Sequence, residues 1–295
     1  MAEPATEALV RYERTGAIAG VVLNHPPVNV LSRELLSALS QRLEEATRDP
    51  EARVVVLSSG VERAFAAGAN IREMAGLGPA GARQHGGRGQ ALTRQIERLP
   101  LPVIAAVHGA CLGGGCEIAL ACDFIVASED ASFGQPEILL GVMPGWGGTR
   151  RLPRRIGAAR ARRWILTGRT VTAREAEAAG LVSQVVPRAE LLPAARSLAE
   201  ELASKSPTAL AAAKHALLQS IDPQIDVGLA SELDLWARLF GTPDQKAGMA
   251  SFLEKRPFAV GARENWERVS RGFPWARTAP VRRRRPRGRS GKRKN

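Results

Sequence analysis

The segment 109–124, GACLGGGCEIALACDF, combines two features that could do chemistry together. Three consecutive glycines, Gly113, Gly114 and Gly115, come shortly before Glu117, which opens an apolar run. Amides at a helix N-terminus carry partial positive charge, and a glycine lets a substrate oxygen approach them closely. A carboxylate among apolar neighbours is costly unless it is paired or protonated. The segment therefore indicates an oxyanion-binding turn with a carboxylate in the first helical turn beyond it.

A second glutamate stands in a similar setting within 133–149, FGQPEILLGVMPGWGGT. Glu137 follows Pro136, which suits the first turn of a helix, and an apolar run follows it. Two carboxylates in an apolar cleft can have their pKa values shifted apart, so that one serves as acid and the other as base. Glutamates also favour first helical turns for electrostatic reasons alone, so the pattern leaves a structural role open for both.

Other kinds of catalytic site have weaker signals. The chain contains neither a G-x-S-x-G nucleophile elbow nor a G-x-x-x-x-G-K-[ST] phosphate loop. The four histidines lack metal-ligand spacing, and His108 is predicted to end a strand and to pack there. Cys111, Cys116 and Cys122 fall within a dozen residues, which is not typical of a disulfide framework and indicates buried thiols in a reducing cytosol.

The elements that would position these residues alternate between strand and helix up to about residue 150. Ser32 is predicted to cap a helix, because leucines recur after it at helical spacing. The segment 62–74 is predicted to be a loop rich in Gly and Ala. Strands are predicted at 8–14, 17–24, 53–59, 102–109 and 123–128, and helices at 33–48 and around 90–99. Such alternation favours an α/β fold with crossover connections.

Beyond residue 150 the pattern becomes helical. Thr172 and Glu175 form a capping-box signature for a helix that Gly180 would end. Further helices are predicted over 189–206 and from Thr242 onward.

The basic charge is concentrated at the C-terminus. The 295 residues carry a net charge of +13. Residues 261–295 hold 13 basic and two acidic side chains, which gives +11 and leaves +2 for the rest. The end of this segment, TAPVRRRRPRGRSGKRKN, is low in complexity and is predicted to be disordered.

Neither a signal peptide nor a membrane span is predicted. The N-terminus has early acidic residues and lacks an apolar h-region. The stretch 103–122 lacks Lys and Arg, but its glycines and Glu117 argue against a spanning helix. We therefore expect a cytoplasmic protein.

Four segments together carry a family resemblance. They are RAFAAGANIREM (63–74), LPVIAAVHGACLGGGCEIALACDFIVA (101–127), FGQPEILLGVMPGWGGTRRLPRRIG (133–157) and LTGRTVTAREAEAAGLVSQVVP (166–187). In order and spacing they resemble the enoyl-CoA hydratase (crotonase) family over roughly residues 8 to 258. The resemblance implies a crotonase-like spiral of ββα units with an α-helical C-terminal region that forms trimers, commonly paired into hexamers. We expect a core over 1–200, the helical region over 201–260 and a basic tail over 261–295.

The resemblance also implies a reaction. Members bind an acyl-CoA thioester and hold its carbonyl oxygen between two amides, which here would be those of Ala69 and Gly114. Hydratases carry two glutamates twenty residues apart, matched here by Glu117 and Glu137, whereas isomerases usually keep only one. The pair favours hydration of a trans-2-enoyl-CoA to 3-hydroxyacyl-CoA in fatty-acid or related breakdown. We expect neither a metal nor a cofactor other than the coenzyme A of the substrate.

The residues expected to bind the rest of the substrate also follow from the resemblance. The backbone of Ala69, Asn70, Ile71 and Arg72 would contact the acyl-CoA. Phe252 and Lys255 match positions that contact adenine and phosphate, often from a neighbouring subunit. A core phenylalanine and a surface lysine are the alternative interpretations of these two residues.

The chain departs from the family pattern at three positions. Asn70 stands where Asp is common, His108 where Asn is common, and Trp146 where a small residue is common. A bulky indole near the acyl site would shorten or reshape it.

Two other functions remain open at this point. One is a Δ3,Δ2-enoyl-CoA isomerase or another acyl-CoA reaction of the family. The other is an RNA-binding protein on the same scaffold, because Arg282–Arg285 and the rest of the tail would attract phosphates without base preference. The arginines between 150 and 163 are predicted to lie on solvated helix faces.

Overall fold

A computed structural model describes residues 8–222 and 224–258 of the chain. The predicted basic tail over 261–295 lies outside the described residues. Strands, in chain order, are β1 (Val10–Thr15), β2 (Ile18–Leu23), β3 (Val54–Ser59), β4 (Ala64–Ala66), β5 (Val103–Val107), β6 (Ala110–Leu112), β7 (Phe124–Ser128), β8 (Ser132–Gly134), β9 (Thr170–Thr172) and β10 (Gln184–Val186).

Along the chain the helices alternate with these strands and then make up the C-terminal part. They are α1 (Arg33–Arg48), α2 (Ile71–Ala75), α3 (Pro79–Arg98), α4 (Gly114–Ala121), α5 (Gly148–Ile156), α6 (Ala158–Thr167), α7 (Ala173–Ala178), α8 (Leu191–Ala203), α9 (Pro207–Ile221), α10 (Ile225–Leu239) and α11 (Pro243–Leu253). Short 3-10 helices occupy Pro136–Leu140 and Arg188–Glu190. Within the described ranges, no helix is both long and apolar enough to cross a membrane.

The larger sheet has the strand order β1-β2-β3-β5-β7-β10. The first two strands form an antiparallel hairpin, and every later pairing is parallel. The strand β5, VIAAV, is buried along its whole length. Continuous apolar runs of this kind are typical of parallel strands covered on both faces. The helix α8 packs on one face through Leu191, Ala195 and Ala199.

A smaller sheet has the strand order β4-β6-β8-β9, and its strands β4 and β6 contact α4. Along the chain, each of the larger-sheet strands β3, β5 and β7 is followed by a strand of the smaller sheet and then by a helix. This repeat is the predicted spiral of ββα units. Sequence patterns missed these strands and assigned 62–74 to a loop, because a three-residue strand is too short to show periodicity.

The predicted starts of α1, α7 and α11 are confirmed. Ser32 accepts a hydrogen bond from the amide of Leu35 at 3.2 Å, and Thr242 does the same for Gln245. The capping box of Thr172 and Glu175 is present.

The helix α3 begins about ten residues earlier than its sequence pattern indicated. Glycines interrupt the pattern and lower helix propensity. Two of them lie where aromatic rings leave no room for a side chain. A Cβ on Gly86 would come within 2.8 Å of the Trp236 ring, and one on Gly89 would overlap the Trp146 ring.

Candidate active site

The glycine-rich turn has the geometry that its sequence predicted. Gly113 has φ 52° and ψ −125°, a conformation that residues with a side chain rarely adopt. Its amide donates to Gly134 O at 3.0 Å, which fixes the turn against β8. A Cβ on Gly115 would overlap the backbone of Ala66. The glycines therefore serve backbone conformation and close packing, and α4 begins at Gly114.

The loop that carries Ala69 passes beside this turn. The Cα of Gly68 lies 3.9 Å from the position a Cβ on Gly113 would take. A Cβ on Gly68 would lie 4.0 Å from Gly114 N. The first amide of a helix has no acceptor within that helix, so the amide of Gly114 is available to a ligand. The structure thus places Ala69 and Gly114 on adjacent segments, as an oxyanion site requires.

Glu117 lies in the first part of α4 and is 2% exposed. Its Oε1 accepts hydrogen bonds from the amides of Trp146 at 2.8 Å and Gly148 at 2.7 Å. Burial raises the pKa of Glu117 well above its usual range, and the charges of Glu137 and Glu232 add to this effect. The two amides act in the opposite direction, because they stabilise the ionised form.

Glu137 lies in the 3-10 helix Pro136–Leu140 and is half-buried. Its Oε1 lies 3.0 Å from the position a Cβ on Gly113 would take, so the carboxyl group faces the glycine turn. Burial raises the pKa of Glu137 to about 8. This carboxyl group is therefore mostly protonated at neutral pH, which the sequence hypothesis requires.

Gln135 lies between the two carboxyl groups and is almost fully buried. With its amide turned to donate, its nitrogen lies 3.0 Å from Oε1 and 3.3 Å from Oε2 of Glu137. A Cβ on Gly148 would lie 3.1 Å from Cδ of Gln135 and 3.0 Å from Oε1 of Glu117. The two predicted glutamates therefore share one site.

The indole of Trp146 lies next to the glycine turn and is buried. A Cβ on Gly114 would lie 2.5 Å from its Cζ3. The ring of His85 stands 6.0 Å from it, between centroids, and 6.2 Å from Trp236. Burial lowers the pKa of His85 to about 4, so its imidazole is neutral. The Trp146 indole thus lies against Gly114, and the rings of His85 and Trp236 extend this aromatic cluster.

Comparisons with known proteins agree with this geometry. The family model for enoyl-CoA hydratase/isomerase matches residues 13–263. The chain belongs to the enoyl-CoA hydratase/isomerase family. The resemblance inferred from the four sequence segments is thereby confirmed.

Three relatives illustrate the range of this family. A short-chain-enoyl-CoA hydratase of Clostridium acetobutylicum is 40% identical over 248 residues, covering 84% of this chain and 95% of the relative. A 2,3-dehydroadipyl-CoA hydratase of Escherichia coli is 45% identical, covering 80% and 92%. A crystal structure of an enoyl-CoA hydratase from Bacillus anthracis matches with TM-score 0.70 and 37% identity, covering 86% and 99%. The crotonase fold is therefore confirmed as well.

The family segment Ala69–Arg72 runs from the loop after β4 into the first turn of α2. Asn70 caps α2, since its side chain accepts from the amide of Arg72 at 3.1 Å and donates to Glu73 at 2.8 Å. Asn70 and Ile71 are half-buried, and the side chain of Arg72 is exposed.

Phe252 and Lys255 lie at the C-terminal end of α11. Phe252 is 58% exposed, so the interpretation as a core phenylalanine is wrong. Lys255 is exposed, as a surface lysine would be. The helix α11 itself packs on α2, where Lys246 donates to the carbonyl oxygens of Ala75 and Leu77 at 3.0 Å each.

The predicted solvated arginines need a correction. Arg160, Arg162 and Arg163 are exposed as predicted, but Arg151 is buried. Arg151 donates to both carboxylate oxygens of Glu97, at 2.7 and 2.6 Å, and to Trp146 O. The first turn of α5 packs inward on α3 and α4, so its arginine needs a buried partner.

The remaining polar candidates have structural contacts. His108 is buried after β5, and its Nε2 lies 2.8 Å from Val61 O, consistent with the predicted packing role. Cys111, Cys116 and Cys122 are free and buried. In the described part of the chain, no cluster of His, Cys, Asp and Glu could hold a metal ion.

Sequence analysis did not single out Glu232, a buried carboxylate on α10 that contacts the residues around Glu117. Glutamate is common in helices, so the sequence gives no signal of a special role. Only the fold brings it against the residues that bind Glu117.

Proposed function

We propose that the protein is an enoyl-CoA hydratase that adds water across the 2,3 double bond of a trans-2-enoyl-CoA to give a 3-hydroxyacyl-CoA. The observation that carries this proposal is the pairing of Glu117 and Glu137 across Gln135, next to the glycine turn. The names of the relatives support hydration. The product fits fatty-acid or related acyl-CoA breakdown.

In this proposal the thioester oxygen lies between the amides of Ala69 and Gly114. Negative charge develops on that oxygen as water attacks C3. Amides that already point at this position stabilise the charge without reorganising, which is commonly the largest single contribution to catalysis. Ala69, Asn70, Ile71 and Arg72 would position the adjoining part of the substrate.

The two glutamates take different roles. Glu117, whose ionised form two amides stabilise, orients the water and takes its proton. Glu137, whose raised pKa of about 8 keeps it protonated, delivers a proton to C2. The oxygen of the water bonds to C3 as the C2–C3 π bond breaks, Glu117 gains the proton of the water, and Glu137 gives one to C2. Proton exchange with solvent then returns both glutamates to their starting states, so the proposed reaction needs no cofactor beyond the coenzyme A of the substrate.

We further propose a cytoplasmic homotrimer, or a hexamer of two trimers. Free, buried cysteines support a reducing compartment. Exposed apolar side chains on α9 and α10, Leu217, Ile221 and Val227, support burial of these helices against other subunits. Phe252 and Lys255, exposed at the end of α11, would then reach the coenzyme A of a neighbouring subunit. Light scattering of the purified chain tests the assembly.

The decisive assay uses crotonyl-CoA and follows loss of enoyl-thioester absorbance. A hydratase removes this absorbance and forms 3-hydroxybutyryl-CoA. The isomerase alternative predicts turnover of a 3-enoyl-CoA to the 2-enoyl form while crotonyl-CoA persists. The second result would overturn the proposal.

The RNA-binding alternative rests on the tail alone. Truncation after Gly261 removes a segment that carries +11 of the net charge of +13 and should lower nonspecific nucleic-acid affinity sharply, because phosphate-neutralising side chains are lost. Hydration should be retained. Loss of hydration together with persistent RNA binding would contradict both expectations.

A further inference from the structure

Glu232 is a buried carboxylate that belongs to none of the roles above. It is 3% exposed and lies on α10. Its Oε1 accepts from the amide of Gly147 at 2.6 Å, and its Oε2 accepts from the amide of Thr149 at 3.1 Å and from the Thr149 hydroxyl. Gln90 on α3 donates to Oε1 at 3.4 Å. Every one of these donors belongs to, or packs against, residues 145–149, here called the GWGGT segment.

The amides of the GWGGT segment alternate between two carboxylates. Those of Trp146 and Gly148 bind Glu117, and the two that alternate with them bind Glu232. Four successive amides are thereby satisfied by side chains from two different helices, α4 and α10. The hydrogen bonds to Glu232 thus hold the GWGGT segment in the orientation in which the amides of Trp146 and Gly148 point at Glu117.

The start of α5 explains why a distant side chain is needed. The first amides of a helix lack intrahelical acceptors and are usually satisfied by the side chain of the N-cap residue. Here the N-cap is Gly147, with φ 108° and without a side chain. A Cβ at this position would overlap the guanidinium of Arg151. The cap therefore has to come from elsewhere, and Glu117 and Glu232 supply it.

We propose that Glu232 is a positioning residue for Glu117. It holds the GWGGT segment so that the amides of Trp146 and Gly148 stay on Oε1 of Glu117. The inference rests on the proposed function, in which Glu117 is the base.

The charged groups around Glu232 determine how its removal affects pH dependence. Glu117 on α4 and Glu137 on the 3-10 helix have their pKa values raised by its negative charge. Arg151 on α5, itself bound to Glu97 on α3, lowers the pKa of Glu232. Burial raises that pKa more strongly.

A further basic side chain faces α10 one turn earlier. Arg150 lies against Gly228, where a Cβ would overlap its guanidinium. It also pairs with Asp222 at 2.9 Å. The charge of Arg150 remains when Glu232 is replaced by a neutral residue. Loss of the negative charge of Glu232 should therefore lower the pKa values of both Glu117 and Glu137.

The test is Glu232→Gln in the full chain with crotonyl-CoA. The substitution replaces the carboxylate with a neutral amide of the same shape, which removes the negative charge and one of the two acceptor oxygens. We expect kcat to fall about 10- to 100-fold, the range that small misplacements cost, with a much smaller change in KM. The bell-shaped pH profile should also move to lower pH, which a purely structural defect would not cause.

Asp222→Asn is the matched control. Asp222 is also a buried carboxylate, 4% exposed, but it pairs with Arg150 and Arg154 at 2.9 and 2.6 Å. This variant should leave kcat and the pH profile unchanged. If Asp222→Asn and Glu232→Gln lose activity alike, the positioning role is refuted.

Two further measurements keep the outcomes distinct. Hydrogen exchange of the peptide that contains the GWGGT segment should accelerate in Glu232→Gln, whatever the reaction is. If the wild type does not hydrate crotonyl-CoA, the proposed function is refuted, while the exchange result still decides the positioning role.

If Glu232→Gln does not fold, Thr149→Val provides the second test. It removes the hydroxyl that donates to Glu232 and should lower kcat as well. Unchanged kcat and unchanged exchange would overturn the proposal.

Discussion

The two sides of the candidate site hold the same residue type in different ways. Glu117 lies on the side formed by the fully buried helix α4, here called the sealed side, and two backbone amides donate hydrogen bonds to one of its carboxylate oxygens. Glu137 lies in the 3-10 helix Pro136–Leu140, and the two residues that follow it in this helix, Ile138 and Leu139, are exposed. This side of the site is here called the open side. Both glutamates looked alike in the sequence, each before an apolar run. Burial raises the pKa of both carboxyl groups, and the two amides on Glu117 act against that shift by stabilising its ionised form. This difference in hydrogen bonding supports the proposed roles of Glu117 as the base and Glu137 as the acid.

The largest effect is expected from removing either carboxyl group. Glu117→Gln and Glu137→Gln should each lower hydration kcat by at least about 100-fold, the scale of general acid–base catalysis. Near-equal shape should preserve folding. The purified variants are compared by crotonyl-CoA hydration and circular dichroism. If a folded variant keeps more than half of its activity, the role assigned to that glutamate is wrong.

The pH dependence tests the difference between the two sides. Glu137 has its pKa raised to about 8, so its protonated form is present below that pH and is lost above it. Hydration kcat/KM should therefore fall as pH rises through about 8, by about tenfold per unit well above it. A profile from pH 5 to 10 measures this. The alkaline limb should be absent from the residual activity of Glu137→Gln; a limb that persists belongs to another group.

The sequence alone indicated several elements of the site, although not the difference between the two glutamates. The turn at Gly113 and the first-turn position of Glu117 followed from local rules, because glycine and helix dipoles act over a few residues. Local rules could not predict the contacts of Glu232 or the burial of Arg151. Both depend on α10 and α3 packing against α5, from positions more than fifty residues away along the chain. Local patterns predict elements and caps, whereas a cap supplied by another helix appears only in the fold.

Trp146 extends the comparison to the acyl chain. Its indole lies against Gly114, so we expect the wild type to prefer short 2-enoyl-CoAs. Trp146→Ala should raise the ratio of kcat/KM for an eight-carbon over a four-carbon substrate about tenfold, as pocket enlargement by a few methylenes allows. The substitution should also cost about 3–5 kcal/mol of stability.

A buried tryptophan outside the site provides the control for Trp146. Trp164 on α6 is also buried. Trp164→Ala should lose comparable stability without changing the chain-length ratio, and Trp146→Phe serves if the alanine variant does not fold. An unchanged ratio in a folded Trp146 variant would show that the indole does not limit the acyl chain.

The smallest effect is expected on the open side, at Leu139. This side chain is 53% exposed and lies near Gly168, where a Cβ would come within 2.9 Å of it. Leu139→Ala should change the free energy of unfolding by only about 0.5 kcal/mol, as exposed positions usually do. Thermal unfolding of the purified protein measures it at several concentrations. A loss of several kcal/mol that depends on protein concentration would instead show that another subunit covers this side. Glu137 would then be more deeply buried than in the isolated chain, and the contrast with Glu117 would rest on its two amides alone.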